Sequence, residues 1–342
     1  MERFINNKKN NMKIAACAIC KNEEENISKW LEYTKDFDYR IVVDTGSADR
    51  SVELLSKSDV ILAQKKFEPF RFDDARNFVM TLIPDDVDWC IWPDFDEYYS
   101  DNTIDEIKKA VEENPKVTRL TYKTFLIKNG IKIKGLESGT VMESKIHVNK
   151  LYKWKEPIHE NLDFIGMKNE TIKQVDNIQR FHKQNISKER VKQYFEIAKT
   201  ALENNSKDSY SAWFVLKDCY YSLNDIDNSI KYAKHYLDIT KPYTNFRSLA
   251  LLILANCEAK KYGITPSTTL TLLRSASENP KNIEAWRGLI NASFELEDWH
   301  MVLLATSILK DSNPHFEEPY KIALNKIQTE KKTVDRSGLE EE

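Results

Sequence analysis

Glycine and proline are scarce, 8 and 10 among 342 residues, which excludes a collagen-like chain or a long low-complexity region. Charge of either sign is not in excess. Against 54 Asp and Glu stand 51 Lys and Arg, a formal −3 with a pI near 6.2, so no whole-molecule field attracts nucleic acid or an anionic membrane. Long apolar runs are missing too: the longest, Leu249–Ala255, falls far short of the ~20 residues that a membrane span requires. Cysteines number 5, an odd set without paired spacing. Cys17 and Cys20 form a lone C-x-x-C inside an apolar run, which reads as buried thiols rather than a zinc or redox motif. Met1 to Lys13 is polar and has no apolar signal core. The expectation is a cytoplasmic protein without a membrane span. What is abundant is ordinary: hydrophobic residues are 41% and charged residues 31%, enough for two soluble cores at this length.

The chain changes grammar near its middle. In the first half, apolar runs alternate with amphipathic stretches. Ile14–Ile19 is followed by Ile27, Trp30 and Leu31 at helical spacing. Arg40–Val43 leads into Asp44–Thr45–Gly46–Ser47–Ala48–Asp49 and a helix over Ser51–Ser56. Val60–Ala63 is a third strand, Asp74–Leu82 a helix stopped before Pro84, and Trp89–Trp92 a fourth strand. Apolar strands at these intervals imply a mostly parallel sheet with both faces covered. After Pro115 the pieces are β-rich: Arg119–Ile127, Ile131–Ile133 and Lys145–Tyr152. From about Ser187 the pattern is helical, over 188–204, 209–222, 225–239, 246–260, 266–277, 282–296 and 298–310. Trp213 and Trp286 lie 73 residues apart, near twice the ~34-residue tetratricopeptide period. Trp213 is followed by Leu216 and Tyr220, with Pro242 closing the unit; Trp286 is followed by Leu289, with Pro314 closing it. These resemble degenerate tetratricopeptide repeats that lack the small glycine; the alternative is an ordinary helical bundle. The expected organisation is a flexible 1–12, an α/β domain over 13–185, a helical domain over 186–328, and a charged, frayed tail over 329–342.

Chemistry concentrates where strands end. In an open parallel sheet, ligands bind beyond the carboxyl ends of the strands. Asp94–Phe95–Asp96–Glu97 follows the fourth strand directly, and two carboxylates there can surround a hard divalent cation that neutralises a diphosphate. A solvated acidic turn is the plain alternative. Asp44 ends the second strand, where a carboxylate can accept from a nucleobase N–H or ribose hydroxyls. Gly46 permits a tight turn, and Ser47 and Asp49 are placed to cap the next helix. Glu23, in Lys21–Asn22–Glu23–Glu24–Glu25, faces the same edge.

Taken in order, strand–Lys–Asn–Glu, Val–Asp–Thr–Gly–Ser–Ala–Asp–Arg–Ser, Ala–Arg–Asn and Asp–Phe–Asp–Glu resemble the family-2 glycosyltransferases of GT-A fold over residues 13–165. The resemblance implies a Rossmann-like domain and a metal-dependent, UDP-sugar-type donor. It assigns base and ribose to Ala18, Glu23 and Asp44, ribose or metal to Asp94, and metal to Asp96. It places Arg76 beneath the nucleotide, with a buried salt bridge to Asp44 or Asp94 as the alternative. A subgroup with a helical repeat domain is similar at Trp154–Lys155–Glu156–Pro157–Ile158–His159–Glu160–Asn161–Leu162. There His159 would complete the shell of a Mn²⁺ or Mg²⁺ ion and Glu160 would orient the acceptor or phosphate. His147 and His182 have no such context and read as structural or surface residues. Family-2 enzymes usually invert the anomeric centre, with a carboxylate as base. The Glu–Asp pair that usually supplies it is missing here, since Glu297–Asp298 comes too late. Glu137, Glu143 and Glu160 are the candidates, with Glu137 preferred. The expected partners are a nucleoside diphosphate sugar and an acceptor that is a peptide, a glycan or a modified nucleobase, with a homodimer through the helical domain. Two other readings are a catalytically silent scaffold and a nucleotidyltransferase. Retention of Asp44, Asp94 and Asp96 speaks against the first. The acidic Lys21–Asn22–Glu23, where a basic glycine-rich loop would stand, speaks against the second.

Overall fold

The structure is a computed structural model that describes residues 12–128, 131–132, 141–183, 188–310 and 314–337. It divides into two compact units, 1–197 and 198–342. The first unit runs β1(Ile14–Cys20), α1(Glu24–Tyr33), β2(Tyr39–Asp44), α2(Ser51–Ser56), β3(Ile61–Gln64), α3(Phe72–Met80), β4(Trp89–Ile91), β5(Glu97–Tyr99), α4(Thr103–Glu113), β6(Arg119–Lys128), β7(Ile131–Lys132), β8(Val141–Val148), β9(Tyr152–Lys155), β10(Asn161–Phe164), β11(Ile172–Lys183) and α5(Lys188–Asn204), within which the division falls.

Among the described residues the main sheet has nine strands in the order β3-β2-β1-β4-β8-β6-β11-β5, with β7 paired to β6. The stretch β3-β2-β1-β4 is parallel throughout, and β11 is parallel to β6. β8 joins the two halves by running antiparallel to both β4 and β6. Residues of β1 are buried on both faces, which explains its unbroken apolar sequence. Its alternation sends Ile14 and Ala16 to one core with Trp89, Ile91 and Leu120, and Ala15 and Cys17 to another with Ile41, Val43 and Val79. The five cysteines are all buried free thiols. The hairpin β9–β10 packs Tyr152, Trp154 and Leu162 into this second core.

Several elements exceed the sequence reading, among them helix α4, which carries an amphipathic stripe of Ile107 and Ala110, and β11, a long strand whose polar composition hides it.

The second unit continues with α6(Ser209–Tyr221), α7(Ile226–Ile239), α8(Asn245–Tyr262), α9(Pro266–Glu278), α10(Ile283–Glu295), α11(Trp299–Leu309) and α12(Glu317–Ser337). Each helix packs on the next, and α8 also meets α6 and α10 two places away, the nearest-neighbour pattern of a helical repeat array. Boundaries follow local capping: Asp208, Asp225, Thr244, Asn282 and Asp298 accept from first-turn N–H groups, and Thr265 forms a capping box with Thr268. Trp213 lies against Tyr236 and Phe246, while Trp286 is buried with its indole N–H on Pro280 O, so both are packing residues. The helix α12 runs to Ser337, well past Thr329, where a frayed tail was expected. Its Glu- and Lys-rich sequence contains strong helix formers and no glycine until Gly338.

Candidate functional site

The parallel register brings the strand ends together. Cys20 sits beside Asp44, and β4 ends two residues before Pro93–Asp94 at the same edge. Beyond this edge the first two βα loops are laced together. Asn22, at φ 57°, donates its N–H to Ser47 Oγ and accepts from Ala48 N–H. Ser51 Oγ accepts from Glu23 N–H, and Asp49 accepts from both Ser51 N–H and Glu24 N–H. Ser47 therefore ties loop to loop rather than capping α2, whose N-cap is Arg50 with no side-chain cap. Asp44 is buried, and its Oδ1 accepts from the N–H groups of Gly46 and Ser47 at 3.0 Å each, while Ser47 Oγ–H donates to Oδ2. Gly46 stands at φ 113°, a conformation that side-chain-bearing residues rarely adopt. Ala18 is wholly buried among Ile27, Trp30 and Leu55, so its side chain belongs to the core.

The acidic cluster is a closed turn. Trp30 donates its indole N–H to Pro93 O at 2.8 Å and stacks on Phe95, and Glu97 N–H returns to Asp94 O at 2.9 Å. The four residues thereby point their side chains into different surroundings. Asp94 receives Arg76 Nη2 at 2.9 and 3.0 Å and Lys145 Nζ at 3.1 Å. Burial opposes its ionisation, but the charges of Arg76 and Lys145 outweigh that and hold its carboxyl well below the usual range. Arg76 is itself buried. Its Nε donates to Glu160 at 2.5 Å, and its guanidinium lies 5.5 Å from the ring centre of Trp92 and 4.9 Å from that of Trp154. Of the two carboxylates weighed for its salt bridge, Asp94 is the one Arg76 meets, and Glu160 is the second that it holds in place. Asn77 completes the motif by exchanging two hydrogen bonds of 2.9 Å with the backbone of Trp154, which fixes the hairpin carrying Glu160 onto α3.

Glu97 points the other way, onto Arg180 at 2.8 Å. The same guanidinium reaches Glu143 at 3.0 Å and Thr124 Oγ1 at 3.1 Å. Burial raises the Glu97 pKa; Lys145 and Arg180 oppose the rise and Asp94 adds to it. Asp96 is the member left facing outward, with Oδ2 3.2 Å from His182 Nε2 and 3.6 Å from Arg190 Nη1.

Among the described residues one group offers three ligand atoms within 4.8 Å of one another: Asp96, Glu97 and His182. This departs from the expected set of Asp94, Asp96 and His159. The cause is strand register. β11 runs antiparallel to β5 and sets His182 opposite Glu97, with Phe181 stacked on Tyr98. His159, at φ 48°, instead meets the ring of Tyr194 edge-on at 5.6 Å. Two carboxylates and an imidazole are a donor set suited to Mn²⁺ or a similar divalent ion. Glu23 borders the group; burial raises its pKa, Asn26 opposes this by donating to it, and the charges of Asp96 and Asp94 add to the rise. Glu137 lies outside the described residues.

His147 proves structural, as its sequence context suggested. It is wholly buried, accepts the Trp92 indole N–H at Nε2 (2.9 Å) and holds Nδ1 3.0 Å from Val148 O, which fixes the neutral tautomer. Burial lowers its pKa to about 4. The unfolded chain binds this proton more tightly, so the stabilisation is intact above the unfolded value of about 6.5 and is lost as pH falls towards about 4, on the order of 3 kcal/mol in all. Melting temperature measured across this window should fall less steeply for His147→Gln than for wild type; equal slopes would contradict the assignment.

No described protein family matches the chain, and no curated protein does. The first unit is an α/β arrangement around a mixed sheet, and the second is an array of helices. Among solved structures, the chain is similar to S. aureus TarS 1–349 in complex with UDP-GlcNAc, at 13% identity and a TM-score of 0.44 over 79% of this chain and 92% of that one. It is also similar to MamA, at 14% identity and a TM-score of 0.32 over 44% of this chain and 99% of that one. A third is glucosyl-3-phosphoglycerate synthase from Mycobacterium tuberculosis in complex with Mn²⁺, UDP and glucosyl-3-phosphoglycerate, at 16% identity and a TM-score of 0.28 over 34% of this chain and 45% of that one. No helix among the described residues is long and apolar enough to cross a membrane.

Proposed function

We propose that the chain is a metal-dependent glycosyltransferase that moves a sugar from a nucleoside diphosphate sugar, UDP-linked in the first instance, to an acceptor with inversion. The observation carrying this reading is the grouping of Asp96, Glu97 and His182 at the edge where β1, β2 and β4 end. Asp96 and His182 would hold the cation, with Glu97 beside them, and the cation's chemistry is to neutralise the departing diphosphate. Asp44 and Glu23 flank the space in front of β1 and β2, where carboxylates accept from ribose hydroxyls and base N–H groups. Arg76 and Arg180 each grip one carboxylate of the acidic turn and one from a later segment, Glu160 and Glu143 respectively. They hold the donor and acceptor sides in a fixed relation without themselves entering the site.

Removal of the acceptor's proton falls to a carboxylate from residues 137–160. Of the two described candidates, Glu143 exposes 27% of its side chain and Glu160 10%, so Glu143 is the better placed to meet an acceptor. The acceptor is a peptide, a glycan or a modified nucleobase; the near-neutral charge balance favours the first two. Melting curves with UDP, GDP, CDP and TDP and their sugars, each with and without Mn²⁺, test the reading. Stabilisation by one nucleotide that needs Mn²⁺ is expected. A flat response to every combination would refute the assignment.

A further inference from the structure

The donor site described above, on which this inference rests, includes a residue that no motif marks. Arg190 lies in the first turn of α5, with Nη1 3.6 Å from Asp96 Oδ2 and 43% of its side chain exposed. Its Nε and Nη2 donate to Tyr194 Oη at 3.3 and 3.2 Å, and Tyr194 is wedged edge-on between Phe72 and His159. The guanidinium is thus carried on a packed aromatic support at the mouth of the acidic turn. It shares Asp96 Oδ2 with His182, on the carboxylate that faces the candidate cation group.

We propose that Arg190 couples cation binding to diphosphate binding. A divalent cation at Asp96 and a guanidinium 3.6 Å from its Oδ2 are like charges drawn to one carboxylate, so the cation alone binds against Arg190. A diphosphate resolves the conflict. It offers the guanidinium other anionic oxygens in a geometry that the planar fork matches, and Arg190 leaves Asp96 to the cation. Each ligand then raises the affinity for the other by the same factor. In this role Arg190 also keeps the acidic turn from collecting cations when no donor is present.

The test is calorimetric titration of the full chain with Mn²⁺ alone, and with UDP in the presence of Mn²⁺. Arg190→Gln should bind Mn²⁺ alone about five- to tenfold more tightly, a modest gain because the pair is partly exposed. The same variant should bind UDP with Mn²⁺ at least about tenfold more weakly. Arg190→Lys keeps the repulsion and loses the fork, so its Mn²⁺ affinity should match wild type while UDP is weakened; this variant decides the matter if the glutamine form does not fold. Effects of opposite sign on the two ligands are not expected from a merely structural arginine. Mn²⁺ binding that is unchanged or weaker in Arg190→Gln, or UDP binding as tight as wild type, overturns the coupling. Wild type that binds neither probe would instead sink the donor-site reading.

Discussion

Replacing Asp96 by asparagine is expected to lower Mn²⁺ affinity by at least about a hundredfold and to remove the Mn²⁺-dependent part of UDP binding. The amide is isosteric, so packing of the acidic turn is kept while the charge that faces His182 is lost. Second-sphere changes at metal sites typically cost about 10- to 100-fold, so loss of a direct ligand should cost no less. His182→Ala should follow the same direction. His159→Ala should not weaken Mn²⁺ binding, because His159 lies against Tyr194 and outside the group of Asp96, Glu97 and His182. The two histidines separate the geometric reading from the motif reading in one experiment: loss of Mn²⁺ binding in His159→Ala with retention in His182→Ala would reverse the assignment.

Arg76→Met is expected to be the most damaging single change to stability. The side chain fits a similar volume between Trp92 and Trp154, but it strands Asp94 and Glu160, both of which Arg76 holds at hydrogen-bond distance. Removing one partner from a buried ion pair costs about 3–5 kcal/mol, because the remaining charge is left uncompensated. For a unit of this size that lowers the melting temperature by roughly 10 °C. Lys145 remains on Asp94 at 3.1 Å, so part of the charge there stays balanced, and Glu160 should bear the larger loss. Adding Glu160→Gln to Arg76→Met should therefore recover stability, which a double-mutant cycle on melting temperature reads directly. A double variant no more stable than Arg76→Met would show that the ion pair is not the source of the effect. A conservative Arg76→Lys cannot reach both carboxylates in the forked geometry and should be intermediate.

Much of the first unit was legible because its signals are local. Ile14–Ile19, Arg40–Val43 and Trp89–Trp92 are apolar runs that only a doubly covered sheet can bury, and all three form parallel strands. A carboxylate directly after such a run must lie at the sheet's carboxyl edge, so Asp44 and Asp94 could be placed before any contact was known. Helices in the second unit were readable from their local spacing, and in the structure Asp208, Asp225 and Asp298 cap three of them, each acting over two or three residues.

The partners of those carboxylates were decided only by tertiary structure. Histidine at position 159 has the more suggestive neighbours, yet His182 reaches Asp96, 86 residues away in sequence, through the antiparallel register of β11 on β5. Register between distant strands depends on bulges and on what packs against each face, such as the stack of Tyr98 on Phe181, and leaves no periodic trace in either segment alone. Arg76 illustrates the same division. Its motif marked it as important, but only the packing of Trp92, Trp154 and the β9–β10 hairpin turned its guanidinium towards Asp94 and Glu160. By itself, then, the sequence determined where the acidic groups would emerge, because strand ends and helix caps are written in neighbouring residues. Which cations and imidazole meet those groups followed from long-range pairing, where many weak contacts act together and no short segment carries the answer.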